Sequence, residues 1–150
     1  MPATESRPRP VPRITQDSEE FWRFTTQGKL LLRVCRKCEN VFYYPRLLCP
    51  RCLSEDLDSR AAAGSGTVHA FSIVYRAPDV SFRDSVPYVV AIIELAEGPR
   101  MLSNVTHCGV DTVRVGMPVE LWFDSVSSEI SLPKFRPSLP GNTTKTEGLG

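Results

Sequence analysis

Four cysteines in the pattern C-x2-C-x10-C-x2-C, namely Cys35, Cys38, Cys49 and Cys52, restrict what this chain can fold into more than any other feature. Each C-x-x-C pair can turn both sulfurs inward while backbone N–H groups face them, and two such knuckles on facing hairpins complete a tetrahedral S4 site. That donor set suits zinc or iron, and the spacing alone does not separate the two. No position is left for a water or substrate, so the metal is expected to be structural. A redox dithiol needs one C-x-x-C only, and the doubled motif argues against it. Arg33, Arg36, Lys37, Arg46 and Arg51 crowd the same stretch. A four-thiolate zinc centre carries net negative charge, which nearby cations offset; one or two of them could instead bind a phosphate or an acidic partner.

The ends contribute little. Residues 1 to 14 carry Pro2, Pro8, Pro10 and Pro12 among arginines, and residues 137 to 150 are polar with Gly and Pro. Neither stretch can bury enough surface to offset the entropy of ordering it, so both are expected to be disordered tails. Roughly 120 residues remain, a size at which a metal staple adds useful stability. No run approaches the ~20 apolar residues of a membrane span, and no signal-peptide core precedes the fold. A cytoplasmic location is therefore expected, where clustered cysteines hold metal rather than disulfides. The formal charge of +1 argues against broad electrostatic capture of nucleic acid.

Residues 15 to 63 are assigned to a helix and the metal ribbon. The helix is expected over residues 15 to 28, with Asp17 and Glu20 as a capping box and Gly28 as its stop. Phe21, Trp22 and Phe24 give it an aromatic face that must pack on something, its own β module or a partner protein. Leu30 to Val34 and Val41 to Tyr44 read as the ribbon strands, and Leu53 to Ala63 as the exit. Gly64-Ser65-Gly66 marks a hinge. Residues 64 to 136 then read as a barrel. Thr67 to Tyr75 alternates, with His69, Phe71, Ile73 and Tyr75 on one face. Tyr88 to Leu95, Arg100 to Thr106, Val119 to Phe123 and Ile130 to Phe135 supply four more strands. Five short strands with Gly/Pro turns and no long helix point to a mainly β fold closed as an OB barrel.

No catalytic constellation stands out. His69 and His107 lie in strand-like sequence, and His107 and Cys108 as strand neighbours would point to opposite faces. GxSxG, HExxH, phosphate-cradling and dinucleotide patterns are all missing.

Several segments in order nonetheless match a known family: the FW-containing helix, GKLLLRVCRKC, YPRLLCPRC, GSGTV, Arg76-Ala77-Pro78, PYVVAIIEL at Pro87 to Leu95, EGPRMLSN at Glu97 to Asn104, and VGMPVEL at Val115 to Leu121. Over residues 17 to 136 the chain closely resembles the zinc-ribbon plus OB-fold acyl-CoA-associated proteins, long catalogued as a domain of unknown function. The resemblance implies an N-terminal helix, a rubredoxin-like zinc ribbon and an OB barrel. One departure is Asn40, where the family often has Gly; Asn tolerates positive φ.

Members of that family are usually accessory subunits of thiolase-superfamily enzymes, including thiolases and steroid side-chain aldolases. The resemblance thus implies a structural zinc, a thiolase-superfamily partner in a hetero-oligomer, and an acyl-CoA ligand shared with it. It implies that the chain is not itself an enzyme. A CoA thioester needs cations for its phosphates and a narrow apolar slot. Arg46, Arg76 and Arg100 are candidates for the first; Phe71, Tyr75 and Tyr88 for the second. Phe21 and Trp22 are candidates for partner contact. Two alternatives stay open: a single-stranded nucleic-acid-binding zinc-ribbon/OB module, and a small enzyme acting on acyl-CoA alone.

Overall fold

Gly64 lies between the last strand of one sheet and the first strand of another. In the computed structural model, which describes residues 7 to 139, a three-stranded antiparallel sheet precedes it and a closed five-stranded barrel follows.

The helix is shorter than expected. Helix α1 spans Glu19–Thr25, with Ser18 at its N-cap. The capping box is not made: the Ser18 side chain caps no helical N–H, and its Oγ instead accepts from Thr15 N–H at 2.9 Å. Glu20 turns away to an ion pair with Arg33 at 2.9 Å. Gly28, at φ +73°, ends the segment as expected.

Strand β1 (Leu31–Cys35) is central, flanked by β2 (Val41–Phe42) and β3 (Leu57–Ala61). The exit segment is thus a strand, paired with β1 from Leu31↔Ala61 to Cys35↔Leu57. Its sequence, Leu-Asp-Ser-Arg-Ala, has no β-branched residue and little apolar content, so only the ladder reveals it.

The barrel strands are β4 (Ser65–Val74), β5 (Tyr88–Leu95), β6 (Arg100–Val105), β7 (Pro118–Ser125) and β8 (Ser131–Pro137). They close in the order β4-β5-β6-β8-β7. β7 pairs back to β4, and β6 meets β8 in parallel at Val105↔Phe135. Strand β5 follows strict alternation: Val89, Ala91, Ile93 and Leu95 are all buried. Strand β4 does not. A register shift between Val68 and Ala70 reverses the parity midway, so Val68 on one side of it and Phe71 and Ile73 on the other reach the same core. Gly66 lies where β4 is paired on both sides, opposite Leu95 and Val119. A Cβ there would come within 2.7 Å of the Glu94 carbonyl oxygen, so the seam requires glycine.

Phe21 and Leu30 to Leu32 belong to the same buried cluster as Val68, Val89, Ile93, Val119 and Phe135. The helix and the base of the ribbon therefore share the barrel's core. Buried Thr25 joins them further: its Oγ1 accepts from Ser131 N–H at 3.2 Å and donates to Trp22 C=O at 2.7 Å.

Of the N-terminal tail expected over residues 1 to 14, residues 1 to 6 lie outside the described residues. Residues 7 to 14 have no regular structure. Arg9 nevertheless bonds Ser85 Oγ, and its guanidinium sits 5.5 Å over the Phe82 ring. At the other end Pro137 still belongs to β8 and Ser138 N–H reaches Pro118 C=O at 3.2 Å; residues 140 to 150 lie outside the described residues. No helix among the described residues is long and apolar enough to cross a membrane.

Candidate functional site

Both knuckles fold by one repeated bonding pattern. In the first, Cys35 N–H donates to Asn40 C=O at 2.9 Å and Glu39 N–H to Cys35 C=O at 2.8 Å; in the second, Cys49 N–H donates to Ser54 C=O at 2.9 Å and Leu53 N–H to Cys49 C=O at 2.9 Å. The left-handed residue falls at the same place in each, Glu39 at φ +60° and Leu53 at φ +62°. Asn40, the departure from the family pattern, is therefore not the positive-φ residue. Its Nδ2 instead points at Cys49 Sγ, 3.9 Å away.

The turns bring all four sulfurs within 4.8 Å of one another, with Cys35–Cys52 at 3.5 Å and Cys38–Cys49 at 3.6 Å. A tetrahedron with Zn–S bonds of about 2.3 Å has sulfur–sulfur edges of about 3.8 Å, so the array fits one tetrahedral ion. Cys35 and Cys49 are fully buried; Cys38 and Cys52 are half-buried. The thiols are in electrostatic conflict. The Cys38 N–H beside it holds Cys35 below the usual thiol range. Burial pushes Cys49 up, but the N–H groups of Cys52 and Arg51 more than offset this and bring it to about 6. Cys38 receives an N–H from Asn40, yet burial and the three sulfurs around it push it up to about 12. A divalent cation resolves the conflict by letting all four ionise.

Arg36 is held by Asp56 at 3.3 Å and Asp58 at 3.5 Å. Arg33 is tied to Glu20 and Ser59. Lys37, Arg46 and Arg51 are exposed. They surround a tip that also exposes Tyr44, Leu47, Leu48 and Leu53.

A second feature is a cavity of ≈550 Å³ at the barrel mouth. Tyr88, Val105 and Leu132 form walls from β5, β6 and β8; Phe82 and Val126 come from the loops after β4 and β7; Pro8 to Val11 form the roof. A smaller cleft of ≈190 Å³ adjoins it, bounded by Trp22, Tyr43, Leu102 and Pro133. Asn104, Leu132 and Lys134 border both.

The candidate ligand residues do not converge. Tyr88 lines the cavity. Phe71 packs against the core, and Tyr75 is 71% exposed beyond the end of β4. Arg46 and Arg76 are exposed at separate places, and Arg100 is paired with Glu94 at 2.9 Å. Phe21 is buried, edge-on to Trp22 and Tyr43, which leaves Trp22 on the cleft as the accessible member of the aromatic pair. His107 is in a turn at φ +60° rather than on a strand. Its Nδ1 lies 2.8 Å from Thr106 Oγ1, and its ring meets Trp122 edge-on. Sequence reasoning missed the roof and the polar cavity residues Asn104, Asp124 and Lys134. A proline-arginine stretch shows no periodicity, and β8 alternates too weakly to reveal which face Lys134 takes.

Two family models match the chain: the ChsH2 rubredoxin-like zinc ribbon domain over residues 22–58 and the ChsH2 C-terminal OB-fold domain over residues 59–124. All four cysteines fall within the first, so their cluster is the ribbon's structural zinc site. A DUF35 domain-containing scaffold protein of Methanothermobacter thermautotrophicus is 38% identical over 110 residues, covering 72% of this chain and 82% of that protein. A probable enoyl-CoA hydratase alpha subunit of Thermomonospora curvata is 36% identical over 91% of this chain, which spans 43% of that relative's length. Among solved structures, a chain of the Ltp2-ChsH2(DUF35) aldolase is similar with a TM-score of 0.76 and 34% identity, covering 86% of this chain and 100% of that one.

Proposed function

This chain belongs to the DUF35 family of zinc-ribbon and OB-fold proteins, and from that premise we propose that it is a non-catalytic accessory subunit of an acyl-CoA-processing enzyme. It docks on a thiolase-superfamily partner in the cytoplasm and helps seat that partner's acyl-CoA substrate. The observation that carries this reading is the likeness, over the whole of the solved chain, to the DUF35 component of an aldolase. The hydratase alpha-subunit name of the relative from Thermomonospora curvata supports the acyl-CoA class.

The site chemistry agrees. A four-thiolate zinc has no open coordination position and acts by holding the ribbon in shape. Among the described residues, the features offered to a partner are surfaces. These are the ribbon tip with Tyr44, Leu47, Leu48 and Leu53, and the cleft edged by Trp22 and Leu102. Arg46 and Arg76 are exposed and suited to CoA phosphates; Arg100 would first have to leave Glu94. A nucleic-acid groove is less well served. On the barrel, Arg100, Lys134 and Arg136 are each matched by a carboxylate, which reduces the phosphate attraction available to such a groove.

The test is co-expression with thiolase-superfamily proteins from the same genome, followed by affinity capture and acyl-CoA turnover with and without this chain. Capture of one such enzyme with a change of rate is expected. Failure to associate with any of them and no change in their turnover would remove the reading.

A further inference from the structure

We propose that the chamber beneath residues 8 to 11 is a ligand site of this chain's own, taking an apolar chain that ends in an anionic head. The proposal deepens the acyl-CoA reading, but the binding it predicts needs no partner enzyme.

The chamber's size, ≈550 Å³, is that of a small-molecule site. It lies between the loops after β4 and β7, where OB barrels hold their ligands. Its walls are mainly apolar, with Phe82, Tyr88, Val105, Val126 and Leu132, and are interrupted by Asn104, Thr106 and the Asp124–Lys134 pair. The charges on the lining are unevenly satisfied. Lys134 is bonded to Asp124 at 2.6 Å with its side chain 14% exposed, so this cation already has its counter-ion. Arg9, at the roof, is held by a neutral hydroxyl and an aromatic face, Ser85 and Phe82, and pairs with no carboxylate among the described residues. The uncompensated charge at the chamber is thus positive and sits at its rim. An apolar body inside with a carboxylate or phosphate at Arg9 satisfies both parts of the lining.

The roof also explains entry. Residues 8 to 11 carry no helix or strand, so few backbone bonds oppose lifting, and the local opening cost is low. Arg9 then doubles as latch and anchor. It holds the strap to Ser85 and Phe82 in the free chain and exchanges the hydroxyl for the ligand's anion.

The experiment is equilibrium titration of the purified full chain with dansylated undecanoic acid, read by dansyl fluorescence, alongside its methyl ester. Saturable binding is expected, about tenfold weaker for the ester, with displacement by laurate or lauroyl-CoA. Whichever of these competes better identifies the head group as a free carboxylate or a CoA thioester. Val126→Trp, on an exposed loop, and Leu132→Trp, on the wall, should each abolish binding, and Arg9→Ala should bring the acid to the ester's affinity. Circular dichroism checks each variant. If Leu132→Trp fails to fold, Val126→Trp decides alone. Absence of saturable binding, binding unchanged in Val126→Trp, or failure of both laurate and lauroyl-CoA to displace the probe would overturn the proposal. None of these results bears on whether the chain docks on an enzyme, which affinity capture reads separately.

Discussion

At the scale of single residues, Asp79 governs more than its own turn. Its carboxylate accepts from Ser81 N–H at 2.9 Å and from Ser81 Oγ at 2.7 Å, capping the 3-10 turn Val80–Ser85. That turn carries Phe82 and Ser85, the two partners of Arg9. The Ser81 N–H, with the Ser81 hydroxyl and the nearby Arg7 charge, holds the Asp79 carboxyl below the usual carboxylate range. The folded-state value is the lowered one, so the cap's stabilisation is fully present above the ordinary carboxylate pKa of about 3.9. It is lost as pH falls through the lowered value. An NMR titration should therefore show Asp79 ionising below its unfolded value, with the Phe82 and Arg9 resonances moving at the same midpoint. In Asp79→Ala the strap should be loosened already at neutral pH, seen as loss of the nuclear Overhauser contacts between the Arg9 side chain and the Phe82 ring. Unaltered contacts in that variant would mean that the strap does not depend on the cap.

At the scale of elements, a buried hydroxyl adds a hydrogen bond to the apolar packing that holds the helix to the barrel. Thr25, 1% exposed, presents Oγ1 to Ser131 N–H at the start of β8. Thr25→Val keeps the shape and removes the acceptor, leaving a buried N–H without its partner. This should cost about 1–3 kcal/mol, read from urea unfolding, whereas Thr26→Val one position on, on the exposed side, should cost far less. How far each element could be read beforehand depended on where its information lies. Strand β5 was legible because YVVAIIEL is a continuous apolar, β-branched run between turn signals, although only the structure shows which alternate residues face the core. Strand β3 was not, since its ladder to β1 is set by the metal knuckles that turn the chain back. In β4 the shift at Val68/Ala70 broke an alternation that looked regular in sequence. The cysteine spacing announced the four clustered sulfurs but not whether zinc or iron sits among them. Of the cavity only Tyr88 was named beforehand, because the cavity exists only where the loops after β4 and β7 meet a strap whose contacts are far off in sequence, 76 residues from Arg9 to Ser85.

At the scale of the whole molecule, the two ends of the ribbon are stabilised by different means. At its base, Leu31 and Leu32 of β1 are buried in the cluster that fills the barrel. At its tip, three residues further along the same strand, Cys35 belongs to a small separate cluster with Phe42 and Cys49. Burying a few such side chains is worth about 1.5–3 kcal/mol each, too little to order two knuckles with left-handed residues in both. A structural zinc supplies about 10–16 kcal/mol in comparable small modules, so the tip depends on the metal and the base does not. Stripping zinc with a strong chelator, or replacing Cys49 with Ser, should thus uncouple the two. In hydrogen exchange, protection should vanish across residues 36 to 56 while Ala91 and Ile93 in the barrel keep theirs. Metal analysis should fall from one zinc per chain to none in the same samples. Simultaneous loss of protection in ribbon and barrel would show that the shared core at Leu30 to Leu32 transmits the collapse, making zinc the keystone of the entire chain. Survival of protection at the tip without metal would show that the small cluster suffices alone. The separation of the two clusters, with β1 passing from one into the other, is the physical reason to expect neither.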